Sequence, residues 1–397
     1  MTAMPTLLPV REAQDRLLAL APSIATEHVT LNAAANRWAA IDVMALRTQP
    51  AADLSAMDGY AIRFDDLPGP LAIVGESAAG RPFSGTLEPG QAVRIFTGAN
   101  LPAGADTVLI QEDTARNGDT LTLTGDGPAE QGAHVRTRGR DFQQDERLIH
   151  AGDHLTPSRI ALAAMAGHGT VSVHRPIRVA IAATGDELVP PGVPLSDGQL
   201  PESNTALLVA MLANLPAEAI QLGILPDDRS ILASTFSQVD ADILVTTGGA
   251  SVGDHDLVRP ALEDIGASPD FWKVAMRPGK PMMAARVRET VVLGLPGNPV
   301  SAFVTATLFL APLIRHMSGA TDPWPRTVKA TLAKPIDATG TRADHIRAHL
   351  KDGVVTPLGL QDSSMLRALS NANCLIVRQA DAPAAAEGET VEVIRIA

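Results

Sequence analysis

The chain has 397 residues, a length typical of two to four domains rather than of one core. Its composition, with 45% hydrophobic and 19% charged residues, excludes wholesale disorder. A net charge of −12 argues against bulk binding to nucleic acid or to an anionic membrane, because both need a broad basic face. The single cysteine, Cys374, excludes a disulfide framework within the chain and favours a reducing, cytoplasmic location.

The first 174 residues are predicted to combine a mostly β segment with two flanking helices. Short alternating runs between Gly and Pro turns, such as "QAVRIFTGA" and "DTVLIQED", predict strands over residues 25–140. One helix is expected within residues 1–20, and another begins near Pro157. We expect these helices to lie together as a connecting domain, residues 1–24 and 141–174, into which the β domain is inserted.

Two motifs of this region carry polar residues that spacing alone does not mark as functional. Asp58 in "SAMDGYA" and Thr97 in "IFTGA" are each followed by a glycine. The pairs Asp58-Gly59 and Thr97-Gly98 are typical of turns. "VRTRGRD" gathers three arginines before an aspartate in an otherwise acidic chain. A solvated loop is the default interpretation of this motif, and an oxyanion site is the sharper alternative. Its charged residues are Arg136, Arg138, Arg140 and Asp141.

Residues 175–322 repeat one theme: an apolar run, a loop rich in Gly, Pro, Asp or Thr, and a helix-like segment. The four instances are "IRVAIAATGDEL", "AEAIQLGILPDDRS", "ADILVTTGGASVGDHD" and "TVVLGLPGNPVSAF". Near-continuous apolar strands alternating with helices predict a parallel sheet with helices on both faces. Ligands of such sheets bind at the carboxyl ends of the strands, where all four polar loops fall.

Carboxylates occur in three of these four loops. Asp186 and Glu187 follow the first strand, where a ligand site and the first turn of a helix are equally good interpretations. Asp228 follows the second strand and, taken alone, is more typical of a helix cap than of a ligand. The third loop adds Asp254 and Asp256. Three strand ends that each place a carboxylate at one sheet edge suit Mg²⁺.

The third loop also has the glycines of a phosphate cradle. Gly248, Gly249 and Gly253 surround Ser251, so bare backbone N–H groups can approach an anion. Cations follow in "FWKVAMRPGKP", whose simplest interpretation is a solvated turn; they are Lys273, Arg277 and Lys280. A cleft with acids, bases and glycine loops suits a metal-bridged pyrophosphate ligand.

The segment from Val291 to Ile314 has no charged residue and is long enough to span a bilayer. The interruption "LPGNP" predicts instead a strand, a tight loop and a helix. Asn298 is the expected N-cap and Pro299 the first helical residue. The N-terminus of this helix would point toward the same cleft and favour anions.

The last part of the chain, residues 323–397, returns to strand-like runs such as "TVKATLAKPI" and "TVEVIRIA", which predict a small β domain. No nucleophilic triad can be assembled from the ten histidines, and no G-x-x-x-x-G-K-[ST] loop is present. Residue chemistry alone therefore stops at a metal-assisted enzyme that acts on a nucleotide-like or phosphate-bearing ligand.

Taken together, the motifs resemble the MoeA family of molybdopterin molybdenumtransferases, which is similar to the E domain of gephyrin. The resemblance rests on "SAMDGYA", "IFTGANLPAGADTVLIQED", the "RGRD" turn, "ATGDEL", "TTGGASVGDHD", "FWKVAMRPGKP" and "GLPGNPVSA", which follow in the family's order, and on "QDSSMLRALSNANCLIV" near the end. It implies a multidomain α/β fold: a MogA-like parallel-sheet domain, residues 175–322, with an inserted mostly-β domain, a helical connecting domain and a C-terminal β-barrel domain.

This resemblance implies the last step of molybdenum cofactor synthesis. The enzyme would take molybdate and adenylylated molybdopterin as substrates and, with Mg²⁺, release AMP. A homodimer is implied, whose cleft joins the α/β domain of one subunit to the inserted β domain of the other. Molybdopterin adenylyltransferase and apo-molybdoenzymes are further partners implied in this way, whereas nucleic acid and membranes are not.

The expected site residues follow from the resemblance and from the residue chemistry. Glu187, Asp228 and Asp256 are the expected Mg²⁺ ligands. Lys273 and Arg277 suit charge-assisted bonds to molybdate or phosphate. Catalytic roles are expected for Asp58, Thr97, Asp141, Glu187, Asp228, Asp256 and Lys280. Ligand binding is expected from Thr184, Gly185, Gly248, Gly249, Ser251, Gly253, Lys273, Arg277, Pro296, Gly297, Asn298 and Pro299.

Other interpretations stay open at this point. A MogA-like molybdopterin adenylyltransferase would resemble only the α/β domain, and a gephyrin-like scaffold would not need the acids, which are all present. A preference for tungstate is also compatible with the sequence. Two departures from the family's pattern, "PAADL" before "SAMDGYA" and a glycine missing from "DFQQDERLIHAGD", affect the expected loop shape rather than the activity.

Overall fold

The computed structural model of the protein describes residues 7–249 and 257–396. Within these ranges the chain forms three six-stranded sheets, together with short strand pairs and helices. The helices are α1 (Val10–Ala19), α2 (Pro157–Met165), α3 (Asn204–Leu212), α4 (Arg229–Ser237), α5 (Val258–Asp264), α6 (Pro299–Thr305), α7 (Ala311–Met317) and α8 (Leu366–Ser370).

The first part of the chain is built mainly from short strands, as its alternating pattern predicts. They are β1 (Thr26–Thr30), β2 (Val43–Met44), β3 (Leu54–Ser55), β4 (Gly59–Ile62), β5 (Leu71–Ser77), β6 (Gln91–Ile95), β7 (Thr107–Ile110), β8 (Thr114–Asn117), β9 (Thr120–Leu123), β10 (Val135–Arg136), β11 (Arg147–Ile149) and β12 (Thr170–His174). Six of them form a sheet in the order β7-β4-β6-β5-β9-β8, with apolar clusters on both faces.

The middle of the chain holds the predicted parallel sheet. Its strands are β13 (Ile177–Thr184), β14 (Leu188–Val189), β15 (Leu200–Pro201), β16 (Ala217–Leu225), β17 (Ile243–Thr247), β18 (Ser268–Lys273), β19 (Met276–Arg277), β20 (Pro281–Val287) and β21 (Thr290–Leu295). The sheet has the order β16-β13-β17-β21-β20-β18, and its first four strands are parallel. β20 and β18 complete it as antiparallel strands.

Apolar side chains cover both faces of this sheet, so helices can pack on each side. Val179 and Ile181 lie in the core cluster that holds α3 and the helix after β21. Their neighbours Ala180 and Ala182 belong to a second cluster with α4 and α5. Alternate side chains of β13 therefore pack into two separate cores, one on each face of the sheet. The prediction of helices on both faces is confirmed.

The helix after β21 runs without a break over Pro299–Met317, from α6 through the π-helical turn Ala306–Leu310 into α7. Among the described residues it is the one helix long and apolar enough to cross a membrane by length and composition. However, 72% of its apolar window is buried inside the protein, where Val300, Val304 and Leu308 pack into the core. The predicted strand, loop and helix are confirmed here.

Two local expectations are wrong. The helices at the two ends of the β segment do not share a core, because Ala13 and Leu17 of α1 pack with the parallel sheet whereas Ala163 of α2 packs with the short strands. Nor does a helix follow "TGDEL": the short strand β14 comes next, paired with β15. The acids of this loop therefore do not cap a helix of their own.

The last part of the chain forms the predicted β barrel. Its strands are β22 (Thr327–Leu332), β23 (Ala343–Lys351), β24 (Val354–Pro357), β25 (Cys374–Arg378) and β26 (Thr390–Arg395). They pair in the order β23-β24-β22-β26-β25, and β23 also pairs with β25, which closes the barrel. β19, from the α/β part of the chain, adds a sixth strand beside β23.

Candidate functional site at the edge of the parallel sheet

The candidate site lies at the carboxyl edge of the parallel sheet, between β13 and β17. The chain passes from β13 to β16 on one side and then to β17 on the other, so the connections diverge at this point. Thr184 lies level with Leu225, and Thr247 lies level with Leu295. The four predicted polar loops thus leave the sheet at one edge, around the switch point where open α/β sheets bind ligands.

Glycines shape this crevice through their backbones. Gly248 has φ +88°, and a Cβ on it would lie 2.4 Å from the carbonyl oxygen of Thr184. A Cβ on Gly249 would lie 2.4 Å from Val258. Gly297, from the loop after β21, would place a Cβ 3.5 Å from the Cα of Gly248. The loops after β17 and β21 therefore meet the end of β13 through their backbones, and at Gly248 and Gly249 only glycine fits.

The loop after β13 carries its acid close to the strand end. A Cβ on Gly185 would lie 2.6 Å from the Oε2 atom of Glu187, so this exposed carboxylate folds back over the backbone. Asp186 accepts a hydrogen bond of 3.1 Å from the backbone N–H of Asp227, which joins the loops after β13 and β16. Thr184 is buried beside them.

Asp228 caps α4, the simpler of its two sequence interpretations. Its Oδ1 atom accepts hydrogen bonds from Ser230 N at 2.8 Å, Ser230 Oγ at 2.6 Å and Ile231 N at 3.0 Å. The hydroxyl of Ser230 and the N–H of Ile231 lower the pKa of this carboxyl, which stays ionised and exposed. Its role as a metal ligand stays a prediction.

The segment "FWKVAMRPGKP", which we call the cationic segment, is not the solvated turn that its sequence suggests. β19 pairs in parallel with β23, so that Arg277 lies level with Asp344. The guanidinium of Arg277 is 3.5 Å from the Asp344 carboxylate, and it remains 61% exposed. Lys280 is exposed, and Lys273 is half-buried. The C-terminal barrel therefore holds the backbone of this segment while its cations face outward.

His345 supports this segment from the barrel. It is buried, and its ring donates a hydrogen bond to the backbone of Arg277. Burial lowers the pKa of His345 to about 4, so the ring is neutral at neutral pH. Sequence reasoning missed this residue, because "ADHIRAHL" carries no motif and was not predicted as a strand.

The "LPGNP" loop begins its helix as predicted, with Asn298 in the N-cap position and Pro299 first in α6, after a buried Pro296. The Asn298 side chain, however, does not cap the helix: its Nδ2 atom donates to Ser363 Oγ at 3.2 Å. The carbonyl of Ser363 accepts from Val300 N at 3.3 Å. The barrel therefore covers this helix start.

Asn204 is a second residue that sequence reasoning missed. It opens α3, and its Nδ2 atom donates to the carbonyl of Gly297 at 2.8 Å. Its Oδ1 atom is buried without a hydrogen-bond partner within the described ranges. The available signal is a polar triplet, "ESN", directly before an apolar helix. Asn204 therefore fixes the loop that carries Gly297.

Asp58 and Thr97, which are 39 positions apart in sequence, are brought together in the inserted β domain. The Oδ1 atom of Asp58 accepts from Thr97 N at 2.7 Å and from Thr97 Oγ1 at 2.9 Å. These bonds, with the nearby charge of Arg94, lower the pKa of the Asp58 carboxyl. Both residues lie near the protein surface, and we call them the Asp58–Thr97 corner.

The remaining expected residues are not gathered into one place within this chain. Asp141 is exposed, and its N–H donates to the carbonyl of Gln49. No hydrogen bond joins Asp141 or the Asp58–Thr97 corner to the sheet edge in the described part of the chain. The residues Ser251, Gly253, Asp254 and Asp256 lie outside the described residues. Within the described ranges, no group of three His, Cys, Asp or Glu side chains could hold a metal ion.

Family models match three successive parts of the chain. The MoeA N-terminal region, domains I and II, matches residues 8–167. A probable molybdopterin binding domain matches residues 180–316, and the MoeA C-terminal region, domain IV, matches residues 329–396. These matches cover the inserted β segment, the parallel sheet and the barrel.

Relatives named molybdopterin molybdenumtransferase match over nearly the full length. The relative from Haemophilus influenzae is 35% identical and the match covers 98% of each chain. The relative from Nostoc is 37% identical, over 100% of this chain and 94% of its own. A solved molybdopterin biosynthesis MoeA protein from Pyrococcus horikoshii has a TM-score of 0.86 at 27% identity, covering 98% of this chain and 100% of its own. The chain belongs to the MoeA family.

Proposed function

As a member of the MoeA family, this chain is, we propose, a molybdopterin molybdenumtransferase that inserts molybdate into adenylylated molybdopterin and releases AMP. This would be the last step of molybdenum cofactor biosynthesis. One observation carries the proposal: glycine loops meet at the switch point of a sheet in the domain that matches the molybdopterin-binding model, and this edge is the crevice in which we place the ligand. The full-length relatives with this activity in their names support it.

The crevice suits the phosphoanhydride of the substrate. Gly249 and Gly297 have no side chain on the loops after β17 and β21, so their N–H groups can approach a pyrophosphate closely. Asn204 fixes the Gly297 loop, and Gly248 N donates to Leu295 O at 3.3 Å. The walls are therefore set before a ligand binds, which lowers the entropic cost of binding.

The cations at the carboxyl end of β18, which lies at the same edge of the sheet, suit molybdate and phosphate. Lys273, Arg277 and Lys280 lie on a segment whose backbone is paired to the barrel. Charge-assisted hydrogen bonds from such groups are about twice as strong as neutral ones. We assign to Arg277 and Lys273 the holding of these oxyanions, and to Lys280 a place nearer to the transferred molybdate.

The donor set at the sheet edge fits Mg²⁺ in kind, because it consists of carboxylate oxygens on neighbouring loops. Glu187 and Asp228 would hold the ion together with Asp256, which lies outside the described residues. The ion would neutralise pyrophosphate charge when bound. The three acids would hold it at the phosphoanhydride end of the crevice and orient that end toward the cations.

A homodimer would complete the site. The Asp58–Thr97 corner is joined by no described hydrogen bond to the crevice of its own chain, so it would face the crevice of a second subunit. Apolar side chains exposed near α2 support such an association. They are Ile41, Met44, Leu46 and Met165, each at least 39% exposed. Burial of such a patch against a second copy would be favourable.

The adenylyltransferase alternative is not favoured, because the relatives and the family models match the inserted β segment and the barrel as well as the parallel sheet. The scaffold alternative does not account for the crevice. We assign no partner protein beyond the second subunit, and the preference between molybdate and tungstate is a matter for measurement.

A reconstituted assay tests the proposal. Purified protein receives adenylylated molybdopterin, Mg²⁺ and molybdate, and AMP release and activation of an apo-molybdoenzyme are measured. We expect both to depend on molybdate and Mg²⁺. AMP release without molybdate would contradict the coupled reaction. Adenylylation of molybdopterin from ATP would favour the adenylyltransferase alternative. Faster transfer of tungstate would show that tungstate is the preferred substrate.

A matched pair of variants locates the metal site. Glu187→Gln removes a predicted ligand at the carboxyl end of β13, and we expect a loss of activity of about 10- to 100-fold. Glu218→Gln removes an exposed carboxylate at the other end of the neighbouring strand β16 and should change little. Equal activity of the two variants would contradict the assignment of Glu187.

A further inference from the structure

Three exposed arginines, each two residues from the next, follow one another on the inserted β domain, and their side chains have no partner among the described residues. We call Arg136, Arg138 and Arg140 the arginine row. None of their side chains makes a hydrogen bond, ion pair or ring contact with a described residue, although the chain is strongly acidic overall. Some other arginines of this domain do form ion pairs: Arg37 with Glu27, Arg63 with Asp66, and Arg116 with Asp119.

The backbone that carries the arginine row is held firmly. Arg138 N donates to the Oδ1 atom of Asp53 at 2.7 Å, and Arg140 N donates to Thr137 O at 3.2 Å. Gly139 has φ +72° and its N–H donates to Pro50 O at 3.0 Å. Three cations are therefore presented from a fixed turn, so ordering the backbone adds little to the cost of binding.

The arginine row is a neighbour of the Asp58–Thr97 corner. β10, which ends at Arg136, pairs with β3, where Arg136 lies level with Leu54. Ser55 of β3 exchanges backbone hydrogen bonds with the turn after Thr97: its N–H donates to Ala99 O, and its carbonyl accepts from Gly98 N. One compact layer of backbone therefore carries both groups.

The acids beside the row leave its charge available. The carboxylate of Asp53 is engaged by the N–H of Arg138, and Asp141 forms no described ion pair with the row. Asp58 is stabilised by two hydrogen bonds from Thr97. Unpaired guanidinium forks favour planar, bidentate contacts to the oxygens of phosphate groups.

From this placement we propose that the arginine row binds the phosphate groups of the substrate as they lie in the crevice of the other subunit. The inference rests on the proposed function, and it identifies the arginine row as the part of the inserted domain that would bind the phosphoanhydride. Molybdate has the same tetrahedral oxyanion chemistry, but the row offers three forks, which match the several oxygens of a phosphoanhydride better than one small oxyanion.

Titration calorimetry on the full-length protein tests this inference without any turnover. The probes are pyrophosphate, AMP and molybdate, each titrated separately at low salt. For the double variant Arg136→Gln/Arg138→Gln we expect the Kd for pyrophosphate to rise about tenfold or more, since each lost charge-assisted bond contributes strongly. The Kd for molybdate should stay within about twofold, and the melting temperature should not change because both side chains are exposed.

Two further variants serve as controls. Arg116→Gln removes one exposed cation on β8, three strands away from β6 in the same sheet, and should leave pyrophosphate binding unchanged. Arg136→Lys/Arg138→Lys keeps the charge and should restore part of the affinity, because lysine lacks the bidentate fork.

The outcomes separate this inference from the proposed function. Unchanged pyrophosphate affinity in the double variant, an equal loss in Arg116→Gln, or no saturable pyrophosphate binding by the unaltered protein would each overturn it. A loss confined to molybdate would overturn the assignment to phosphate. If pyrophosphate binding depends on the row but no molybdate-dependent AMP release is found, the inference stands and the proposed reaction fails.

Discussion

The edge of the parallel sheet and the Asp58–Thr97 corner present polar groups by different physical means. At the sheet edge, the shape comes from glycine backbones packed against their neighbours, and a Cβ added to Gly248 or Gly249 would lie only 2.4 Å from another atom. At the corner, it comes from exposed side chains that bond to each other. The difference implies that substitutions at the sheet edge should lower both stability and activity, whereas substitutions at the corner should lower activity alone.

The largest expected effect tests the first half of this comparison. Gly248→Ala places a Cβ against the carbonyl of Thr184 on a residue with φ +88°. We expect a loss of about 3 to 5 kcal/mol in the free energy of unfolding, from left-handed strain and overpacking together, with loss of AMP release. Urea denaturation and the reconstituted assay measure the two effects.

A matched glycine separates strain from packing. Gly198 also has positive φ, +83°, but no atom lies within 4 Å of an added Cβ. Gly198→Ala should therefore cost only about 1 to 3 kcal/mol and leave activity nearly intact. If Gly248→Ala were no less stable than Gly198→Ala, backbone packing would not define the sheet edge.

A pH dependence should follow from His345, which lies behind the cationic segment. The pKa of His345 falls from 6.5 to about 4 on folding, so the unfolded chain takes up the proton first as pH drops. The contribution of His345 to the free energy of unfolding should therefore be fully present above pH 6.5. It should fall by about 3 kcal/mol as pH approaches 4. Denaturant titrations between these pH values measure the slope.

The variant His345→Phe removes this titration while it keeps the ring volume. Over the same pH range, the slope of its free energy of unfolding against pH should be smaller by the contribution of about one bound proton. Other groups still titrate in both proteins. An identical pH slope in the variant would show that His345 does not carry the effect. Asp58 gives a contrast, because its pKa is lowered from 3.8 on folding and its contribution to stability is therefore lost mainly below the pH range in which His345 acts.

A smaller expected effect concerns the corner. Asp58→Asn should lower kcat/KM by about 10- to 100-fold, because the proposed shared site would lose a charged hydrogen-bond acceptor. The melting temperature should stay the same, since both partners lie near the surface. Asp119→Asn, on the far hairpin, is the control. A large drop in melting temperature would break the comparison, because the corner would then be structural.

The smallest effect is expected at the contact between barrel and helix. Ser363→Ala removes the hydroxyl that accepts from Asn298 at 3.2 Å, but it leaves the backbone bond from Val300 in place. We expect a loss of about 0.5 to 1 kcal/mol in the free energy of unfolding and less than about a fivefold loss in activity. A loss as large as that of Gly248→Ala would mean that the side chain, not the backbone, fixes the loop.

The sequence predicted the parts of the fold that depend on local pattern. Four apolar runs with polar loops at their ends predicted the parallel sheet and its ligand-binding edge, and the structure confirms the pairing of all four strands. Pro299 after "LPGN" predicted the start of α6. Both signals lie within a few residues of the feature that they predict, which is why they could be interpreted without knowledge of the tertiary fold.

Contacts between distant segments could not be predicted in this way. Nothing in "VAMRPGK" indicates that Met276 and Arg277 pair with Ala343 and Asp344. The proximity of Asp58 to Thr97 depends on the register between β4 and β6, and the role of Ser363 depends on how the barrel docks. The separation of α1 from α2 likewise follows from tertiary packing that no local pattern encodes.

The strand β19 gives the chain an order of assembly. Met276 and Arg277 are synthesised before their partners on β23, so the cationic segment cannot reach its final pairing until the barrel has folded beside it. A fragment that stops before residue 323 would keep the parallel sheet but leave this short edge unpaired, open to association with other chains. We therefore expect the isolated α/β part to lack the proposed activity even where it folds, because the barrel holds the backbone of the segment that carries Arg277.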